Sequence, residues 1–285
     1  MGEIITISPY PGGKNRNALS YRPFIPYKDI DTYIEPFSGM WGVGLNKARH
    51  PVEIYNDWDN ELVHLVRLLS DKEKGMEVLR MLHQFPYTKD FFNYAKGYLN
   101  NVDFQDDNLY AGALVWATFL FSYNGQGTSF RGIHKGTELA EIHRKLMKKI
   151  YTIQRLQGVT VLKEDANDLI KKYKEDSRTF IFTDPPYPPT HKSGKNERHK
   201  IYKAKEMLKI KEQIAFLENL EGAKAKIFVC SYENELYNEI LCKNFGWKCV
   251  PVTDTYKYMA VSGLGQSKER VTEVGYINYD HKECR

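Results

Sequence analysis

Thr179-Phe180-Ile181-Phe182-Thr183-Asp184-Pro185-Pro186-Tyr187 is the stretch from which the rest of the chain can be read. Its first five residues form an apolar, aromatic and β-branched run, as expected of a strand buried in a parallel sheet. Proline cannot donate to a strand ladder, so the strand stops at Asp184. The acid therefore stands at the carboxyl end of a buried strand, where open α/β sheets bind their ligands. Two consecutive prolines stiffen the backbone and leave carbonyls without a helix or sheet partner. An acid, a carbonyl and an aromatic face at one rigid corner suit a planar ring that carries an exocyclic amino group. The acid and a proline carbonyl accept its two N–H bonds while Tyr187 stacks on the ring. A strand-ending Asp-Pro turn beside a core tyrosine is the alternative for these four residues alone.

Working outward, Tyr33-Ile34-Glu35-Pro36-Phe37 reads as a strand, followed by the small-residue turn from Ser38 to Gly44 and a helix through about Arg49. Val52 to Tyr55 reads as the next strand, ending at Asn56-Asp57, and Glu61 to Leu69 as a helix. Strand, glycine-rich turn, helix, strand and acid make half of a nucleotide-binding α/β unit. From about Leu62 to Gln157 the apolar residues recur at helical spacing, as in Leu109 to Phe121. Ser122 to Gly132 interrupts that block with Asn-Gly and further glycines, the signal of a hairpin or exposed loop. Strands resume at Val159 to Leu162, at Phe180 to Phe182 and at Ala225 to Val229. Trp247 to Val252 and Glu273 to Ile277 read as an antiparallel pair at the sheet edge. The organisation expected is a sheet split by a helical insertion, with bounds 1–61, 62–157 and 158–285.

At 285 residues the chain can hold one large domain or a core with an inserted one. No stretch approaches the roughly 20 apolar residues of a membrane helix, and Met1 to Ile5 lacks the layout of a signal peptide. A cytoplasmic protein is expected, with no membrane partner and no required oligomer. Cys230, Cys242, Cys249 and Cys284 show no C-x-x-C spacing, so reduced thiols are expected and no metal site. No Pro-Cys pair supplies the nucleophile needed to methylate a cytosine ring carbon. The net charge of +5 is modest. Its distribution is not: Lys192, Lys195, Arg198, Lys200, Lys203, Lys205, Lys209 and Lys211 follow the proposed corner against only Glu197 and Glu206. A basic stretch there suits a polyanion such as nucleic acid.

The turn from Glu35 to Gly42 lets backbone approach a ligand closely, although many α/β loops need glycine. It is neither G-x-G-x-x-G nor a phosphate loop. Asp57, at the tip of the second strand, is placed to accept ribose hydroxyls or to cap the following helix. Asp165 can meet an adenine amino group or cap the helix starting at Ala166.

Tyr10-Pro11-Gly12-Gly13-Lys14, Glu35-Pro36-Phe37-x-Gly39, Asn56-Asp57 with Asn60, Tyr123-Asn124-Gly125 and Asp184-Pro185-Pro186-Tyr187 occur in that order. The series resembles the Dam-type family of N6-adenine DNA methyltransferases, over nearly the whole chain from Tyr10 to the tail at Tyr279. The resemblance implies a Rossmann-like class I methyltransferase sheet with a mainly helical inserted target-recognition domain, S-adenosylmethionine as cofactor and double-stranded DNA as partner. It makes Lys14 a partner of the methionine carboxylate and Tyr10 a neighbouring contact. The Phe37 to Gly39 turn would line the methionine portion with Glu35 a further cofactor contact, Asp57 would hold the ribose, and Asp184 would touch both cofactor region and target base. Asp184 and the Pro185 carbonyl would make the adenine nitrogen more tetrahedral and aim its lone pair. Pro186 and Tyr187 complete the catalytic corner, and Tyr187 would stack on a base flipped out of the duplex. Tyr123 and Asn124 would fill the vacated space or touch neighbouring bases. Arg131, Lys135, Arg144, Lys145, Lys148 and Lys149, with Lys192 and Lys195, would mostly hold phosphates, or simply be solvated.

The sequence departs from GATC-reading relatives after Tyr123-Asn124-Gly125, where Gln126-Gly127-Thr128-Ser129-Phe130 lacks their arginine and Arg131 comes later. GATC is not asserted as the target. Rival readings are an N4-cytosine methyltransferase, which more often has serine at the place of Asp184, an RNA base methyltransferase, and a catalytically silent DNA-binding regulator. Intact Lys14, Asp57 and Asp184 weigh against the last.

Overall fold

The computed structural model describes residues 4–10, 13–104, 107–132, 139–186, 210–260 and 266–284. Tyr187, Lys135, Lys192 and Lys195, all singled out above, lie outside them. The chain divides into two compact units, one made of Met1–Ala18, Ser38–Ala48 and Glu53–Lys163, the other of Leu19–Phe37, Arg49–Val52 and Glu164–Arg285. Seven strands among the described residues give a mostly parallel α/β architecture. No described helix is long and apolar enough to cross a membrane.

In the second unit, β1 (Thr32–Glu35), β4 (Thr179–Thr183) and β5 (Lys226–Tyr232) run parallel, with Thr32 opposite Thr179 and Phe180 opposite Lys226. Every residue of β4 is buried, as its uninterrupted apolar run requires. Behind β5 come β7 (Gln266–Ile277) and then β6 (Lys248–Ala260), both antiparallel to their neighbours. The expected tail pair is thus present and longer than its apolar cores, with the later strand on the inside. Ile181, Ile227, Val229, Phe216, Leu217, Tyr237 and Tyr276 share one buried cluster. Two helices of this unit matter below: α8 (Ala166–Tyr173) and α9 (Ile210–Glu218).

The first unit holds β2 (Val52–Asn56) paired in parallel with β3 (Thr160–Leu162), and a short α1 (Gly42–Asn46). The helix expected through about Arg49 stops at Asn46, because Lys47 takes extended backbone and turns its ammonium to the buried Glu53. The helical block is α2 (Asn60–Ser70), α3 (Lys72–Gln84), α4 (Lys89–Leu99), α5 (Leu109–Phe121), α6 (Leu139–Met147) and α7 (Lys149–Leu156). Asp59, Asp71, Thr88 and Asn108 cap α2 to α5 with their side-chain oxygens. α5 is apolar on all sides because α2, α3 and α4 pack around it. Its Trp116 Nε1 donates to the Ile7 carbonyl at 2.9 Å and so fixes the N-terminal segment.

Ser122 to Gly132 forms no regular hairpin. A single antiparallel bridge joins Ser122 to Phe130, and Tyr123–Gly125 is a tight helical turn with Asn124 left-handed at φ 53°.

Candidate active site

Of the residues expected to hold a cofactor, the first unit carries Tyr10, Lys14, Gly39 and Asp57. Gly39 lies at φ +50°, where a side chain would be strained. Its N–H donates to Asp57 Oδ2 at 2.7 Å, its carbonyl accepts from Tyr55 Oη at 2.8 Å, and Asn56 N–H donates to Ser38 Oγ at 3.1 Å. The end of β2 thereby clamps the glycine turn. Asp57 Oδ1 also accepts from Asp59 N–H at 2.9 Å. Both carboxylate oxygens are thus engaged by backbone, each with acceptor capacity left. Burial pushes the Asp57 carboxyl up to about 6, against the pull of those N–H groups.

The ring of Tyr10 comes within 3.8 Å of the point where a Gly39 Cβ would stand and meets Phe119 edge-on at 5.9 Å. Gly13 N–H donates to the Tyr10 carbonyl at 3.1 Å, and Lys14, next in the chain, is largely buried. Gly42 presses on the same segment: a Cβ there would stand 2.8 Å from Asn15 N. Tyr10, Gly39 and Asp57 are therefore gathered around one turn. A buried cation, an acid and a left-handed glycine form a donor set fit for a ligand carrying both a carboxylate and hydroxyls.

Residues that sequence reasoning passed over support this turn. Trp41 is left-handed at φ 52°, and a Cβ on Gly44 would come 2.1 Å from its ring. The Arg155 guanidinium lies over that ring at 5.3 Å. It also bonds both oxygens of Glu53, at 2.6 and 2.8 Å, and the Gly44 carbonyl. Burial pushes the Glu53 carboxyl up, but Arg155 and Lys47 outweigh it and hold the group below the usual carboxylate range. Arg155 is a hundred residues from its partner, so no local pattern could have revealed it. Trp58 is different: a tryptophan 70 % exposed beside Asp57, with the Lys163 ammonium 5.6 Å over its ring. Its position right after the strand-end acid was a readable signal.

The second unit carries the Asp-Pro-Pro corner at the end of β4. Pro185 is buried; Asp184 and Pro186 are half-buried. Gln213 Nε2 on α9 donates to the Pro186 carbonyl at 2.6 Å, and Tyr237 Oη donates to Gln213 Oε1 at 2.7 Å. Glu35 is buried and accepts from Tyr33 Oη at 2.5 Å. Phe37 packs edge-on against Phe216 at 5.7 Å. Asp165 is exposed and caps α8, accepting from Asn167 and Asp168 N–H at 2.8 and 3.3 Å.

In the loop of the first unit, Tyr123 and Asn124 are exposed and Arg131 extends to solvent. The backbone beneath them is tied down. Lys96 Nζ donates to the Thr128 carbonyl at 2.9 Å, Tyr87 Oη to the Arg131 carbonyl at 2.6 Å and Gly127 N–H to Ser122 Oγ at 2.8 Å. Gly125, at φ +68°, sits on Pro9, where a Cβ would fall 1.8 Å from the carbonyl oxygen. Two lysines named as phosphate contacts are otherwise engaged. Lys149 is half-buried with its ammonium on the Thr6 carbonyl at 2.7 Å, and desolvation lowers that ammonium to about 8. Lys145 pairs with Glu141 at 2.6 Å.

Residues 10–256 match the model of the D12 class N6 adenine-specific DNA methyltransferase family. The chain belongs to that family. The resemblance read from the ordered motifs is thereby borne out, as are the α/β methyltransferase fold and enzymatic methylation of adenine in DNA. No curated protein matches the sequence. Among solved structures, a precorrin 8W decarboxylase from Methanobacterium thermoautotrophicum is similar at 12% identity over 95% of this chain and 91% of that one, with a TM-score of 0.38. That likeness is too slight to bear on the fold of the methyltransferase.

Proposed function

We propose that this adenine-specific DNA methyltransferase uses S-adenosylmethionine and acts at a specific site in duplex DNA, on an adenine turned out of the stack. The observation that carries the mechanism is the rigid Asp184-Pro185-Pro186 corner, whose Pro186 carbonyl is already taken by Gln213. The acid and the Pro185 carbonyl are the acceptors we assign to the two N–H bonds of the adenine amino group. An ionised Asp184 accepts and does not donate, and two acceptors at fixed positions orient the amino nitrogen. Well-oriented reactants gain about 7–11 kcal/mol over free encounter. S-adenosylmethionine, when bound, supplies an electrophilic methyl group.

The residues around the Gly39 turn fit that cofactor. Lys14 would hold its carboxylate, Asp57 its ribose hydroxyls, and Tyr10 and Gly39 the chain between, with Glu35 and Phe37 from the preceding strand end. Trp58 offers a ring face beside Asp57. Asp165 could still accept from an adenine amino group with the lone pairs that capping leaves. For DNA, we assign the helical block 62–157 as the recognition domain. Tyr123, Asn124 and Arg131 would contact bases; Lys135, Lys192 and Lys195 would contact phosphates. Tyr187 would stack on the extruded adenine, which costs a few kcal/mol to expose.

Incubation of duplex DNA with tritium-methyl S-adenosylmethionine, followed by single-molecule sequencing, tests this. Label confined to adenine at one sequence context is expected. Methylcytosine, or preference for RNA, would refute it.

A further inference from the structure

The corner is not held by its prolines alone. Gln213 and Tyr237 are fully buried, in contact with each other, and linked to the corner through the Pro186 carbonyl. A glutamine amide has one donating and one accepting end, and each is used in one direction. Nε2 must face Pro186 because a carbonyl only accepts; Oε1 is then turned to the Tyr237 hydroxyl, which donates to it and holds the amide in that place. Pro186 follows the end of β4 and Gln213 lies on the first turn of α9, so the bond joins that strand end to that helix.

We infer that Gln213 and Tyr237 are positioning residues for methyl transfer: Tyr237 orients the Gln213 amide, which pins the Pro186 carbonyl and so aims the Asp184 and Pro185 acceptors. The inference rests on the reading that those two acceptors hold the adenine amino group. Tyr237 stays a donor throughout the working range, because burial first, and then the nearby Asp184 carboxylate, push its phenol up. Tyr276 and Cys230 are the other titratable groups beside it. Glutamate at position 213 would donate to Pro186 only when protonated. A charged carboxylate there would set an acceptor against the carbonyl.

Tyr237→Phe and Gln213→Glu in the full chain, assayed for kcat and for KM toward cofactor and DNA, test this. Tyr237→Phe is expected to lower kcat by about ten-fold, the equivalent of one buried hydrogen bond, with both KM values unchanged and a Tm lower by only a few degrees, so that the protein stays folded at the assay temperature. Gln213→Glu is expected to be nearly inactive at alkaline pH and to recover relative to wild type as pH falls. A wild-type kcat for Tyr237→Phe overturns the inference whatever the other variant does. So does a Gln213→Glu to wild-type ratio that stays flat with pH. If Asp184→Ala is dead while both positioning variants turn over normally, the corner assignment stands and only the clasp fails. If the wild type itself transfers no methyl to adenine, the functional reading and the clasp fall together.

Discussion

Replacing Asp57 by asparagine is a sharper test of the cofactor turn than truncating it. Both carboxylate oxygens accept a backbone N–H, from Gly39 at 2.7 Å and from Asp59 at 2.9 Å. Asparagine has a single acceptor oxygen, so its NH2 must face one of those donors. A hydrogen bond to a charged group contributes about 1.5–3 kcal/mol, which for a ligand seated on this turn is about ten- to hundred-fold in affinity. Stability should move less. Burial holds the Asp57 carboxyl at about 6, above its ordinary 3.8, so its charge opposes folding above that pH, and the opposition fades as pH falls through 6 toward 3.8. Losing the charge partly offsets losing the bond. Binding has the reverse pH sense: ribose hydroxyls need the ionised carboxylate, so wild-type affinity should weaken as pH falls through about 6. Calorimetric titration of S-adenosylmethionine between about pH 5 and pH 8 reads both effects. The Asp57→Asn variant should bind weakly with a flat pH profile. Wild-type affinity in the variant at pH 8, or a flat profile in the wild type, would refute the assignment.

Asp184→Ala should abolish tritium-methyl transfer without changing the melting curve, and Asp184→Asn should nearly do so, because an amide presents a donor where an acceptor is needed. Arg155→Met strips a buried carboxylate of its bidentate partner at a cost of about 3 kcal/mol, Lys47 keeping it from being larger; Tm by calorimetry should fall roughly 6–12 °C. In the wild type the Glu53 network stabilises above the ordinary carboxylate range, and that contribution is lost as pH falls from there through the depressed Glu53 value. Gly125→Ala should distort the loop proposed to contact DNA, since the new methyl meets the Pro9 backbone at 1.8 Å; weaker DNA binding with cofactor affinity retained is the expected outcome in separate titrations. Arg131→Ala should relax one position of the methylated site at a cost of about 1–3 kcal/mol if the guanidinium reads guanine. An even loss over all sequences, with the salt slope down by about one, would mean it holds phosphate.

Much of this protein was legible in its sequence because the decisive signals are local. The apolar run of β4 and the prolines after it placed Asp184 at a strand end without reference to any distant residue, and all five strand residues are buried. Helix caps, the glycine turn and the acid at the tip of β2 are likewise properties of a few neighbouring residues. What the sequence could not decide was the choice among roles open to one side chain. Asp165 caps a helix, Lys149 is committed to Thr6 and Lys145 to Glu141, because burial and proximity, not residue type, set what each charge meets.

The residues that tie distant segments together were invisible for the same reason. Arg155 on Glu53, Gly125 on Pro9, and Gln213 between Pro186 and Tyr237 join positions far apart in the chain. A hydrogen bond or a close backbone approach of this kind leaves no period, spacing or composition in the sequence. The order of motifs along the chain determined the fold class and the chemistry. Only tertiary packing decided which carbonyl of the Asp-Pro-Pro corner is already satisfied and which groups hold it in place.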